Sequence, residues 1–233
     1  MLIYGFHPVR ETVRRRPSSV GRVLVAASPG KRRQEIEDLC QRAGIKVSVI
    51  SPKELSRRVE GVHNGFAAEI TGAARQTGSG DPDLVVLIED VQDPRNLGAL
   101  LRVCEGAGVG QVLIRDRGSA PLSPTVTKTS TGASEWLDVE RVSNSANAID
   151  KLKQEGFWIY GADAEGEAPW NVELTGKVVL CLGGEEKGLR RRTRELCDGL
   201  LGLPMLGKVE SLNVATATAA LLYEAVRQRG EGS

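Results

Sequence analysis

No apolar run in this chain approaches the roughly 20 residues that a membrane span requires, and the N-terminus shows neither the apolar stretch nor the cleavage site of a secretory signal. A membrane protein is therefore not expected, and the expected compartment is the cytoplasm. Histidine is nearly absent: His7 and His63 are the only two. The four cysteines, Cys40, Cys104, Cys181 and Cys197, form no CxxC pair and no metal-ligand spacing. Too few imidazoles and no thiolate cluster argue against a zinc site, so no metal is expected. Cys104 and Cys181 lie inside apolar segments, where packing is the plain explanation. Internal repeats and low-complexity tracts are missing as well.

What is present is ordinary in bulk and uneven in distribution. The 233 residues hold 40% apolar and 26% charged side chains, enough for one large domain or two small ones. The net charge of +1 hides an asymmetry. Residues 1–75 carry 14 Lys/Arg against 7 Asp/Glu, whereas the remainder carries 17 against 23. A basic segment joined to an acidic one points the first toward a polyanion such as RNA, with solvated arginines as the alternative.

Apolar periodicity divides the chain into a small N-terminal domain (1–72), a linker (73–83) and a larger C-terminal domain (84–233). In the first, Val23–Ala26, Val47–Ile50 and Phe66–Ile70 read as strands. Lys31–Ala43 spaces Ile36, Leu39, Cys40 and Ala43 as a helix, and Ser51-Pro52 opens another. Gly72, Gly78, Gly80 and Pro82 interrupt this pattern, as a flexible connection does. Beyond them, Leu84–Ile88 is a continuous apolar run of the kind that is covered on both faces. Val109–Ile114, Leu137–Val142, Phe157–Ala162, Val178–Leu182 and Leu200–Leu203 supply further strands. Leu97, Leu100, Leu101, Cys104 and Ala107 share one helical face, Ser123-Pro124 starts a second helix, and a last helix runs from Ser211 to about Arg227. Alternation of this kind predicts an α/β fold, a parallel sheet with helices on both faces. Gly106, Gly108 and Gly110 end a helix and precede a strand, the reverse of a dinucleotide-binding loop.

Three blocks put polar groups where an apolar run stops: Asp93–Arg102, Leu182–Gly188, and Leu203–Met205 through Ser211–Ala215. Ligands of parallel α/β sheets bind beyond the carboxyl ends of the strands, so three such ends suggest one composite site. Asn96 stands at a helix mouth, where an amide either caps the backbone or contacts a ligand. Arg102 lies almost opposite the Leu97/Leu101/Cys104 stripe and points away from the core, either merely solvated or functional. Gly183 permits close backbone approach, and Glu185 accepts hydrogen bonds. Pro204 breaks strand pairing, and Leu203, Met205 and Leu212 would suit an adenine ring. Ser211 reads as the N-cap of the last helix and Asn213 as part of its first turn. The small residues Ala215–Ala219 suggest tight self-association. Arg190–Arg194 is either a solvated face or a basic ridge on an RNA path.

In this order and at these intervals, the blocks resemble the three motifs of the SpoU (TrmH) branch of the SPOUT RNA methyltransferases. Ile3–Val9 and the His63-Asn64-Gly65 turn resemble the extra N-terminal domain of the subgroup that methylates guanosine 2′-hydroxyls in bacterial 23S rRNA. The resemblance implies S-adenosylmethionine as cofactor and a ribose 2′-hydroxyl as acceptor. It further implies a deep C-terminal trefoil knot, rare among folds, a homodimer formed through the C-terminal domain, and a ribosomal-protein-like RNA-binding domain at the N-terminus. By matched position, Leu182, Gly183, Leu203, Met205 and Leu212 would hold the cofactor. Asn96, Arg102, Glu185, Ser211 and Asn213 would form the catalytic and substrate-orienting set. An always-charged guanidinium is a poor base, so Arg102 is expected to stabilise negative charge, the proton leaving through a phosphate oxygen, water or an unusual neutral arginine. Alternatives are a tRNA or antibiotic-protective rRNA methyltransferase and, in another class, a ribosome-assembly factor that binds RNA without catalysis.

Overall fold

A computed structural model of the chain describes residues 2–26, 28–59, 61–71, 80–185 and 187–231, leaving aside the side chain of Glu231. Two compact units form, Met1–Thr77 with Leu122–Trp136, and Gly78–Pro121 with Leu137–Ser233. Residues 73–79 of the expected linker lie outside the described residues, and Asp81–Asp83 belong to a strand.

The first unit contains β1 (Leu2–Tyr4), α1 (Phe6–Arg15), β2 (Val20–Val25), α2 (Lys31–Ala43), β3 (Lys46–Val49), α3 (Pro52–Arg58) and β4 (Phe66–Ile70). Its sheet has the order β1-β4-β2-β3, with β2 and β3 parallel and β4 antiparallel to both β1 and β2. The Ser51 hydroxyl accepts from the Glu54 N–H at 3.1 Å, capping α3 as its Ser-Pro start predicts. The sequence pattern marks nothing before Val23, yet β1 and α1 are there. Three residues of strand are too few to show a period of two, but Phe6, Val9 and Val13 bury one face of α1 in the core with Ile3, Val23 and Phe66. Leu122–Trp136 joins this unit through α1: Trp136 Nε1 donates to Glu11 at 3.1 Å, and the buried Glu135 pairs with Arg16 at 2.5 Å.

The second unit contains β5 (Asp81–Ile88), α4 (Pro94–Gly106) and β6 (Val109–Arg115). The short α5 (Pro124–Thr129), capped by Ser123, belongs to the first unit. The second unit resumes with β7 (Asp138–Val142), α6 (Ser145–Gln154), β8 (Trp158–Glu167), β9 (Val178–Leu182), α7 (Arg191–Leu196), β10 (Gly199–Leu201) and α8 (Val214–Glu231). Its six strands are all parallel, in the order β10-β8-β9-β5-β6-β7. Leu84–Ile88 and Val178–Leu182 are buried along their whole length, as central parallel strands require. The chain runs outward from β5 through β6 and β7, then returns to the other side of β5. That reversal, between β5 and β9, is where such sheets open a crevice at the strand ends.

At one helix start the structure chooses between the two roles open to Asn96, and another start differs from expectation. Asp93, not Asn96, caps α4, its carboxylate accepting from the Arg95 N–H at 2.7 Å, which frees the Asn96 amide for other contacts. The last helix begins at Val214 rather than Ser211. Asn213 is its cap: the side-chain oxygen accepts from the Ala215 N–H at 2.9 Å and its carbonyl from Ala217 at 2.9 Å. Asparagine caps as well as serine does, so residue type alone could not choose between them. Gly108 turns the chain between α4 and β6 with φ +71°.

Burial makes most of the thiols inert. It pushes Cys40 up to about 11 and Cys104 up to about 12. A thiol–thiol hydrogen bond raises Cys181 and lowers its half-buried partner Cys197. Because the thiolate is the reactive form, a brief iodoacetamide pulse at pH 8 should alkylate Cys197 first. Peptide mass spectrometry should find the other three labelled only after denaturation.

Candidate active site

A cavity of about 690 Å³ opens at the carboxyl ends of β9 and β10 and along the middle of β8, beside the start of α4 and the first turns of α8. Its floor follows from one backbone feature. Gly183 ends β9, and a Cβ there would lie 2.0 Å from the carbonyl carbon of Gly188, so only glycine lets the chain fold back on itself. Gly184 and Gly188 close that return with paired backbone hydrogen bonds of 3.1 and 3.0 Å. Leu182 is buried beneath it, while Leu203 and Met205 are half-buried and Leu212 stays 42% exposed. β10 ends at Leu201, and Leu203 and Met205 on either side of Pro204 line this space.

The polar side is a chain of three residues from three separate segments. Asn96 donates through its amide nitrogen to the Glu185 carboxylate in a short hydrogen bond, and its oxygen accepts from the Asn213 amide at 3.1 Å. Asn213 also caps α8, so the network ties the loop after β9 to the starts of two helices. Those helices, α4 and α8, pack together, with the Tyr223 hydroxyl donating to the Gly106 carbonyl at 3.3 Å. Ser211 lines the same cavity and makes no hydrogen bond among the described residues.

Nine of the ten site residues expected from the sequence line this one cavity: Leu182, Gly183, Leu203, Met205, Leu212, Asn96, Glu185, Ser211 and Asn213. Arg102 does not. It lies six residues beyond Asn96 on α4, about 9 Å further along the axis and rotated to another side of the helix. There it is exposed and unpaired among the described residues. The arginines of the Arg190–Arg194 run are ion-paired yet stay exposed, Arg191 by 93% and Arg192 by 67% at the side chain. Arg190 pairs with Asp90, Arg191 and Arg192 with Glu195, and Arg194 with Asp163 and Glu165. Small residues of α8 also serve the chain itself: Ala215 and Thr218 are buried, and Ala217 and Thr218 line the cavity. Sequence reading missed Ala162, Asp163 and Ala164, which form a wall within β8, just past its pairing with β9. The signal was available, since the run ending at Ala162 also turns polar.

Among known proteins, the profile of the SpoU rRNA Methylase family matches residues 83–223. This chain belongs to that family. The SpoU assignment is joined by a second match, over residues 2–76, to the domain described as RNA 2'-O ribose methyltransferase substrate binding. A 23S rRNA (guanosine-2'-O-)-methyltransferase, RlmB, from Xanthomonas axonopodis pv. citri is 42% identical over 97% of this chain and 96% of its own length. The Vibrio cholerae protein of the same name is 37% identical over 98% and 97%. Among solved structures, an RNA 2'-O ribose methyltransferase is 27% identical, with a TM-score of 0.79 over 98% of this chain and 88% of that one. The SpoU methyltransferase AviRb from Streptomyces viridochromogenes, solved with AdoMet, has a TM-score of 0.84 at 24% identity over 100% and 91%, a likeness of fold.

Proposed function

We propose that this SpoU-family chain transfers a methyl group from S-adenosylmethionine to the ribose 2′-hydroxyl of a guanosine in 23S rRNA. The observation that carries this reading is the convergence of the three polar blocks on one glycine-floored cavity. The residues fit the cofactor. Gly183 leaves a backbone cradle that a Cβ would fill, and Leu203, Met205 and Leu212 offer apolar surface to a flat ring. When bound, S-adenosylmethionine supplies an electrophilic methyl on a sulfonium. The chain supplies position, which in well-oriented reactions is worth on the order of 7–11 kcal/mol. Asn96, held by Glu185 on one side and Asn213 on the other, locks the loop and both helix starts in one arrangement. Ser211, with its hydroxyl unengaged, is placed to orient the acceptor. Arg102 binds the target phosphate and stabilises charge developing on the 2′-oxygen, the proton leaving to a phosphate oxygen or water.

This reading extends to the architecture. Residues 1–72 bind RNA, and the unit that starts with β5 at Asp81 is the transferring domain. Exposed Lys31, Lys46, Lys53 and Arg57, which make no ion pair among the described residues, support RNA contact by the first. A trefoil knot is part of the assignment, supported by the loops after β9 and β10 closing on one cavity. So is a homodimer through the C-terminal domain, supported by an unpartnered Arg102 outside its own chain's cavity. The compartment is the cytoplasm, where the rRNA is met; no described helix is long and apolar enough to cross a membrane.

Incubating the protein with labelled S-adenosylmethionine and unmodified 23S rRNA tests it. Label should enter one guanosine ribose. Label in tRNA alone would replace the substrate, and none at all would leave an RNA-binding protein without catalysis.

A further inference from the structure

The loop that floors the cavity is held at both ends by one residue outside it, Asp90. This residue follows β5 by two positions and adopts φ +55°, the left-handed region that non-glycine residues avoid unless their surroundings impose it. The surroundings are visible. The Asp90 carbonyl oxygen packs so closely on the start of the loop that a Cβ on Gly184 would lie 2.7 Å from it. At the end of the loop, Arg190 grips the Asp90 carboxylate with two nitrogens, Nε at 2.6 Å from Oδ2 and Nη2 at 2.9 Å from Oδ1. Such a fork fixes orientation as well as distance. Arg115, at the end of β6, approaches the same carboxylate at 3.4 Å. A Cβ on Gly118 would lie 2.0 Å from Oδ1, so that neighbour too is limited to glycine.

We propose that Asp90 is a positioning residue for methyl-donor binding: by pinning Gly184 and Arg190 to the end of β5, it holds the intervening loop in the shape that receives the cofactor. The inference rests on the cavity being the S-adenosylmethionine site. Between the two pins lie Glu185 and Gly188, which line the cavity, and Glu185 is the residue that reaches Asn96. Asp90 itself does not line it and acts only through the loop. The pair is partly solvated, with Asp90 21% and Arg190 47% exposed at the side chain. Pairs of this kind add little to global stability, so an effect on cofactor binding is separable from an effect on folding.

The test uses the full chain and compares wild type with Asp90→Asn, Arg190→Gln, their double variant and Asp90→Gly. Asparagine tolerates the left-handed conformation, so Asp90→Asn removes charge and leaves the backbone. Calorimetry with S-adenosylmethionine should give a Kd about fivefold weaker in each single variant, the ratio that a partly exposed ion pair can supply. The double variant should be no weaker than Asp90→Asn, because the Arg190 fork is lost in all three. Turnover at saturating cofactor and the melting temperature should stay close to wild type. Asp90→Gly relaxes the strained backbone but lacks the carboxylate, and it should match Asp90→Asn. Wild-type affinity in Asp90→Gly, or additive losses in the double variant, would overturn the proposal and leave Asp90 a turn residue. Failure of the wild-type protein to bind S-adenosylmethionine would instead overturn the cofactor assignment.

Discussion

Replacing Arg102 with alanine should lower methyl transfer at saturating S-adenosylmethionine by about 100- to 1000-fold, the range seen when one stabilising donor is removed from a developing anion. Cofactor affinity should hardly change, because Arg102 does not line the cavity of its own chain. Exposed and unpaired among the described residues, Arg102 adds nothing to packing on α4, so the melting temperature should hold. Arg102→Lys is the sharper variant. Lysine keeps the charge but not the planar fork that addresses phosphate and 2′-oxygen together. Single-turnover rates should therefore remain far below wild type with lysine. Near-wild-type turnover with unchanged RNA affinity would show that a guanidinium is not needed. Mixing Arg102→Ala chains with chains disabled at Gly183 adds a readout. If a second copy supplies Arg102, mixed dimers recover activity that neither parent has.

Gly183→Val should abolish cofactor binding, and Gly183→Ala should weaken it at least about tenfold, since the cradle must open to admit a Cβ. The reason is steric and local. A Cβ at this position would sit 2.0 Å from one backbone atom of Gly188 and 2.1 Å from another, and neither is the movable end of a side chain. The loop must open, breaking the paired hydrogen bonds between Gly184 and Gly188 and moving Glu185 away from Asn96. Calorimetry reads the binding loss, and a thermal melt distinguishes a displaced loop from an unfolded chain. Full binding by Gly183→Ala would show that the cradle is not where the cofactor lies.

Much of this protein was legible without coordinates. Val178–Leu182 is a strand within the bounds its apolar run suggests, because a buried strand writes its length directly as a run of apolar side chains. The glycine and polar residues after β9 announced a site for the same reason: once the sheet ends, nothing in its packing requires them. Local patterning was silent where the decision is not local. Asn213, which caps α8, also donates its amide to the Asn96 side-chain oxygen, and that contact spans 117 residues. Leu122–Trp136 joins the first unit through Arg16, Glu11 and Trp136, partners whose separation in sequence hides them from any periodicity.

The division follows from what each level of structure can encode. Hydrophobic period, turn residues and charge bias determined on their own that this is an α/β chain with a basic first part and polar strand ends. Only the tertiary fold decided that those ends share one cavity, that Arg102 stands outside it, and that Asp90 holds its floor. Such facts depend on the order in which parallel strands lie side by side. That order is set by packing among segments a hundred residues apart, and no single segment carries it.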